Sequence, residues 1–163
     1  MTIATLVLVL VTIQRLGELV LARHNTLRLL KMGAYEVGAG HYPLIVVLHA
    51  AWIAALWVFG RGGDVNLYWL FVFLILQIMR VWVIATLGIR WTTRIIILPG
   101  AEPVTTGPFR LIRHPNYAVV IAEIAVLPLA LGLPYLAVVF SVLNACILTI
   151  RIRAENKAFA MAI

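Results

Sequence analysis

The residues with the most chemical potential are crowded into two short stretches of a 163-residue chain. The first reads Thr106-Gly107-Pro108-Phe109-Arg110-Leu111-Ile112-Arg113-His114-Pro115-Asn116-Tyr117. Pro115 suits the first position of a helix and pushes His114 toward an extended conformation. His114 is therefore expected at the mouth of a helix, beside N–H groups that have no partner within it. A helix start of this kind attracts anions, and Arg110 and Arg113 add positive charge there. A basic interfacial anchor would explain the arginines but gives no role to Gly107, Pro108 or the His-Pro turn. The second stretch holds Arg151 and Glu155, four apart and so on one helical face, with Asn156 next to Glu155. An exposed pair at that spacing contributes only roughly a few tenths of a kcal/mol, so stability is a weak reason for it.

Further charged residues lie inside apolar runs, where an unpaired charge is costly and marks a functional candidate. Arg15 and Glu18 are three apart and share a helix face; an ion pair satisfied within itself near the interface is the plain alternative. Arg80, with Gln77 one turn earlier, either snorkels or points into a cavity. Glu123 has no basic neighbour on its own helix, so its partner must come from elsewhere, and Arg15, Arg80 and Arg151 are available. Arg15, Glu18, Arg80 and Glu123 are accordingly candidates for binding a substrate.

What positions these groups is an apolar frame. The chain is 64% hydrophobic and 12% charged, with a mean hydropathy of +1.06, whereas soluble domains carry about 25% charged residues. A membrane-spanning helix takes about 20 apolar residues, and the sequence divides into about five such segments. Ile3 to Ala22, Pro43 to Gly60 and Val65 to about Leu87 are the first three, with a polar segment from Arg23 to Tyr42 after the first. Arg61-Gly62-Gly63-Asp64 joins the second and third as an antiparallel hairpin. Arg90 to Asn116 is too polar and too rich in Pro and Gly to cross lipid as a helix. It is also long for a structureless loop, which points to function; within it Thr92 to Leu98 is β-branched and suits a short strand. Tyr117 to Leu131 and Tyr135 to Ile150 follow as a hairpin through Gly132-Leu133-Pro134, with Pro128 expected to kink or end the first arm. Both arms are short, which suits a tilted or partly immersed hairpin.

The expected fold is thus an all-α integral membrane protein of about five helices, one domain over 1–163. Three N-terminal spans occupy 1–89; a loop, the helical hairpin and a tail occupy 90–163. Ten basic residues in the connections fall on one side and only Arg61 on the other. The positive-inside rule then puts the N-terminus outside, the Arg90–Asn116 loop and the C-terminus in the cytoplasm, as in a bacterial inner membrane. The hairpin returns to the side where it began, so His114 and Arg151–Glu155 should share that face.

Composition also excludes function classes. Cys146 is a lone cysteine in an apolar run, which rules out a disulfide scaffold and a cysteine-based zinc site, and no metal is expected. A net charge of +7 would suggest nucleic acid in a soluble protein, but basic loops are ordinary in a membrane protein, and no nucleic-acid partner is expected. Met1 to Leu10 lacks a charged n-region and a small-residue cleavage site, so a removed signal peptide is not expected.

Gly107-Pro108-Phe109, then Arg113-His114-Pro115-Asn116-Tyr117, then a short hairpin and Arg151-Ile152-Arg153-Ala154-Glu155-Asn156 resemble the isoprenylcysteine carboxyl methyltransferase family, integral-membrane enzymes that use S-adenosylmethionine. The resemblance covers roughly Thr86 to Phe159. Glu155-Asn156 stands where many members have two consecutive glutamates, and the usual aromatic and basic tail is missing. The stretches Gln14-Arg15-Leu16-Gly17-Glu18-Leu19, Ala22-Arg23-His24-Asn25 and His41-Tyr42-Pro43 look more like a short bacterial branch, part of which is associated with O-methylation of polyketide-derived phenolic lipids. The resemblance implies S-adenosylmethionine between the Arg90–Asn116 segment and the next helix, with Gly107, Pro108, Arg113, His114, Pro115, Asn116, Tyr117, Glu155 and Asn156 as cofactor-binding residues. It gives the catalytic roles to Arg151, which would orient the acceptor oxygen, and to Glu155. A phenol would need a base, for which Glu155 or His114 is the candidate. The acceptor would be a lipophilic molecule, an isoprenylcysteine carboxylate or a phenolic lipid, entering from the bilayer. An NADPH-dependent membrane reductase of the sterol-reductase type shares a similar His-Pro element, and a non-enzymatic small membrane protein would explain the spans alone.

Overall fold

The structure, a computed structural model, describes residues 2–162, and side chains as far as residue 158. Met1 and Ile163, the ends of the expected domain, lie outside the described residues. Five α-helices carry the fold: α1 Ile3–Lys31, α2 Tyr42–Gly60, α3 Leu67–Leu87, α4 Pro115–Ala130 and α5 Pro134–Ala162. Two three-residue strands, β1 Tyr35–Val37 and β2 Ile95–Ile97, pair antiparallel with Tyr35 opposite Ile97 and Val37 opposite Ile95. The fold is an all-α multi-pass membrane protein. Four stretches are long and apolar enough to cross a bilayer, Ile3–Lys31, Ala39–Gly60, Leu67–Arg90 and Pro134–Ala158, and Pro115–Ala130 is a shorter apolar helix.

Several boundaries differ from the sequence reading. The polar segment from Arg23 is not a connection at first, because α1 continues to Lys31 with neither proline nor a second glycine to stop it. At about 1.5 Å per residue, its 29 residues reach about 43 Å, well beyond a hydrocarbon core of about 30 Å. It ends where Gly33 takes φ +90°, a left-handed conformation that glycine adopts cheaply. The last arm likewise runs past Ile150, as α5, to Ala162. Pro128 sits inside α4, which ends two residues later, and Gly132 at φ +72° turns the chain into α5. The strand expected within Thr92–Leu98 forms, but its partner β1 comes from the segment after α1.

The 16 residues of α4 give only about 24 Å of rise, yet its end reaches the α2–α3 turn. The Asn66 N–H donates to the Ala130 carbonyl at 2.8 Å, and Gly60 lies against Leu131 and Leu133. The N-terminus comes to the same end, where the Thr2 and Thr5 hydroxyls each donate to the Arg61 carbonyl at 2.9 Å. The opposite end gathers the β-pair, the Arg90–Asn116 loop, the start of α4 and the last turns of α5. The core between them is apolar, built from Leu8, Val11, Trp52, Leu56, Phe73, Ile124, Leu127 and Phe140. Large apolar side chains such as Ile13, Val20, Val47, Phe59, Phe71, Ile78 and Val142 face outward, as a lipid-facing surface requires.

Candidate active site

At the loop end, the chain builds a wall before it builds a site. The buried Asn25 of α1 donates from Nδ2 to the Gly88 and Trp91 carbonyls, at 3.2 and 2.8 Å, while the Trp91 N–H returns to the Gly88 carbonyl at 3.0 Å. These bonds fix the exit of α3 and hold Trp91, which is buried. Further along, the Arg94 Nη1 donates to both carboxylate oxygens of Glu36 of β1, at 2.8 and 2.9 Å, and the guanidinium lies over the Tyr42 ring at 4.3 Å. Ile95 and Ile97 of β2 pack against Ala158 of α5. The loop is therefore tied to α1, to α2 and to α5.

Gly107 and Pro108 open a short 3-10 turn, Gly107–Arg110, against the end of α3. Gly107 has φ +56°, and a Cβ there would lie 2.7 Å from the Thr86 hydroxyl, so close approach and backbone conformation both call for glycine. His114 caps α4 with φ −131° and makes no side-chain cap bond, while Pro115 is buried at the first position. The expected helix mouth is thus present. The His114 ring lies 5.5 Å from the Tyr117 ring.

Arg151 and Glu155 meet through Tyr117. The Arg151 Nε donates to the Tyr117 hydroxyl oxygen at 2.9 Å, the Tyr117 O–H donates to Glu155, and the Arg151 Nη1 donates to the Thr93 carbonyl at 2.8 Å. The i,i+4 pair is not a direct ion pair among the described residues; the phenol stands between its partners. The Arg151 Nη2 has no hydrogen-bond partner among the described residues.

Two cavities meet at this point. The first, about 560 Å³, lies under the loop and is lined by Arg90, Arg94, Phe109, Arg113, His114, Glu155 and Asn156 among others. The second, about 450 Å³, runs between α1, α2 and α5 at membrane depth, along Leu16, Ile45, Val46, His49, Ile53, Val120 and Leu148. Trp91, Thr92, Asn116, Tyr117 and Arg151 line both. Arg113, His114, Asn116, Tyr117, Arg151, Glu155 and Asn156 are therefore brought together at the first cavity. Gly107, Pro108 and Pro115 do not line it; they shape the turn and helix start that do.

The four charges inside the spans come together elsewhere. Arg15 reaches Glu18 and Glu123 at 2.9 Å each, while Arg80 reaches Glu18 at 2.5 Å and Glu123 at 2.8 Å. Gln14 and Gln77 complete the ring: the Gln14 amide donates to Glu18 and to Gln77, and the Gln77 amide donates to Glu123. Two cations and two anions thus close a neutral cluster between α1, α3 and α4. Glu123 finds its partners in Arg15 and Arg80 rather than in Arg151. Arg15, Glu18 and Arg80 line the membrane cavity, whereas Glu123 is 2% exposed and does not. Among the described residues no group of His, Cys, Asp or Glu is placed to hold a metal ion.

Sequence reasoning gave no role to Asn25, His49, Trp91 or Thr93. Asn25 carried a signal only as part of the Ala22-Arg23-His24-Asn25 stretch, in a segment read as a connection, and the others act through tertiary placement.

The chain matches the model of the isoprenylcysteine carboxyl methyltransferase (ICMT) family over residues 69–161. It is also similar to the uncharacterized protein YpbQ of Bacillus subtilis (strain 168), 39% identical over 158 residues that cover 94% of each chain. No solved structure matches it. The chain belongs to the isoprenylcysteine carboxyl methyltransferase family and is a membrane methyltransferase.

Proposed function

We propose that this member of the isoprenylcysteine carboxyl methyltransferase family moves a methyl group from S-adenosylmethionine to an oxygen of a lipophilic acceptor, at the cytoplasmic face of a bacterial inner membrane. The observation that carries the reading is that a loop-side cavity bearing charged side chains and a more apolar membrane cavity share Asn116, Tyr117 and Arg151 as lining. One compartment suits a water-soluble donor and the other a lipid, and their common wall is the place for transfer.

The first cavity fits the donor chemically. A volume of about 560 Å³ lies within the range of small-molecule sites, about 300–1,000 Å³. Arg113, His114 and the start of α4 would hold a carboxylate, and Glu155 would face the cationic part. Trp91, Ile96, Leu98 and Phe109 offer apolar surface for an aromatic base. When bound, S-adenosylmethionine supplies an activated methyl: its carbon–sulfur bond breaks as the carbon–oxygen bond forms, and the sulfonium leaves as a neutral thioether.

The chain's part is alignment and exclusion of water. Arg151, fixed by Tyr117 and Thr93, turns its remaining Nη2 toward the acceptor oxygen and favours its anionic form. A carboxylate acceptor needs no more. A phenol, with an ordinary pKa of about 10, yields its proton more readily beside that guanidinium, and Glu155 or His114 is the group to take it. The tail lies in the membrane cavity, an isoprenyl chain or the alkyl chain of a phenolic lipid. Glu155 lines only the first cavity while Arg151 lines both, which supports Glu155 facing the donor and Arg151 reaching the acceptor.

Isothermal titration of the purified protein with S-adenosylhomocysteine tests the donor assignment. Binding is expected, weakened at least tenfold, or about 1.4 kcal/mol, in His114→Ala. Absence of binding to the wild type removes the cofactor reading; equal affinity in the variant removes His114 from the site.

A further inference from the structure

Among the polar side chains that line the membrane cavity, His49 belongs neither to the ion cluster nor to the transfer geometry. His49 lies on α2 seven residues beyond Tyr42, about 10 Å deeper by helix rise. Its Nδ1 is 2.9 Å from the Ile45 carbonyl one turn back. A carbonyl only accepts, so Nδ1 carries the proton and the neutral ring presents Nε2 as an acceptor. The same bond leans the imidazole toward the Tyr42 end of the cavity, the direction in which helix side chains point. Nε2 has no partner among the described residues, and the half-buried ring lines the cavity.

The terminal nitrogens of the neighbouring guanidiniums are already paired, although the buried Arg15 Nε has no hydrogen-bond partner among the described residues. Arg15 and Arg80 are taken up by Glu18 and Glu123 at 2.5–2.9 Å. The wall around His49 is mostly apolar, with Ile45, Val46, Ile53 and Leu148, and Trp52 one turn further along α2 also has a buried Nε1 with no partner among the described residues. A plain hydrocarbon chain passing this point leaves Nε2 against hydrocarbon, at the cost of an unmade hydrogen bond. A hydroxyl satisfies it.

We propose that His49 is a specificity-determining residue that accepts a hydrogen bond from a second hydroxyl of the acceptor, set deeper in the membrane cavity than the oxygen that receives the methyl group. This rests on the methyl-transfer reading above and narrows its acceptor from any lipid to one with a polar group beyond its reacting oxygen.

A matched pair of probes tests it: para-tetradecylphenol and para-(1-hydroxytetradecyl)phenol, each offered with tritiated S-adenosylmethionine. The wild type is expected to favour the hydroxylated probe about tenfold in kcat/KM, the worth of one well-made hydrogen bond. His49→Phe brings that ratio near one, and His49→Gln, whose amide oxygen still accepts, restores most of it. S-adenosylhomocysteine affinity in each variant reports on folding separately, since His49 does not line the first cavity. If the wild type binds S-adenosylhomocysteine and methylates both probes equally, or if the preference survives in His49→Phe, the His49 proposal falls and the methyl-transfer reading stands. If S-adenosylhomocysteine does not bind and neither probe is methylated, both fall.

Discussion

Glu123→Gln is the sharpest probe of how this bundle is held together. Glu123 is 2% exposed and accepts from Arg15, Arg80 and Gln77. Replacing its carboxylate by an amide keeps the shape but leaves two guanidiniums facing Glu18 alone, one positive charge in excess at membrane depth. Removing one partner of a buried ion pair costs about 3–5 kcal/mol. For a chain of this length about 1 kcal/mol moves the melting temperature by about 2–4 °C, so the expected fall is about 10 °C. Glu36→Gln is the internal control, because its partner Arg94 and Glu36 itself are 39% and 25% exposed, and such a pair is worth less than about 1 kcal/mol. The assay is thermal unfolding in detergent, followed by tryptophan fluorescence. Arg15→Gln combined with Glu123→Gln restores neutrality and should recover more than about 1 kcal/mol relative to Glu123→Gln alone, a non-additivity expected of groups in one network. A Glu123→Gln protein no less stable than Glu36→Gln, or a double variant whose losses simply add, would refute the cluster as a buried, charge-balanced unit.

Other expectations follow from the same geometry. Gly107→Ala forces a side chain into a left-handed backbone position against the Thr86 hydroxyl and should lower the melting temperature by several degrees, while Gly100→Ala, which meets nothing within 4 Å, costs only its backbone strain, about 1 kcal/mol. Glu155→Gln should raise the S-adenosylhomocysteine Kd about tenfold, yet leave turnover at saturating donor within about threefold, because Glu155 lines the donor cavity alone; a loss confined to turnover that shrinks as pH rises would make it a base instead. In a Cys146→Ser background, cysteines engineered at Gly63 and Thr105 should be labelled from outside only at Gly63; labelling only at Thr105 would reverse the topology.

Much of this arrangement is legible in the sequence because it is local. Hydropathy marks the apolar helices, Gly and Pro mark the turns between them, and the His-Pro dipeptide marks the start of α4. The same local logic identifies Arg15, Glu18, Arg80 and Glu123 as charges that must be paired. It does not say that all four meet, since that depends on how α1, α3 and α4 pack. Three-residue strands are equally silent: Tyr35–Val37 has no partner until Ile95–Ile97 is brought beside it from the other side of two spans. The continuation of α1 to Lys31 is misread because its last turns are polar, although Asn25 and Leu29 are buried there. Arg151 and Glu155 are correctly put on one face, but the Tyr117 hydroxyl between them comes from another helix. The two cavities are tertiary objects with no one-dimensional trace, and so is the shared wall that makes Arg151 central.

That wall is tested most directly by following tritium from S-[methyl-³H]adenosylmethionine into lipid-extractable product with the wild type and Arg151→Lys, alongside S-adenosylhomocysteine titration of both proteins. Lysine keeps the charge but loses the planar fork that bonds Tyr117 and Thr93 while facing the acceptor. The account predicts label in the lipid fraction with the wild type, and in Arg151→Lys a turnover at least a hundredfold lower with donor affinity within about threefold. Turnover in Arg151→Lys equal to that of the wild type would contradict it, as would a wild type that binds donor yet transfers nothing to lipid.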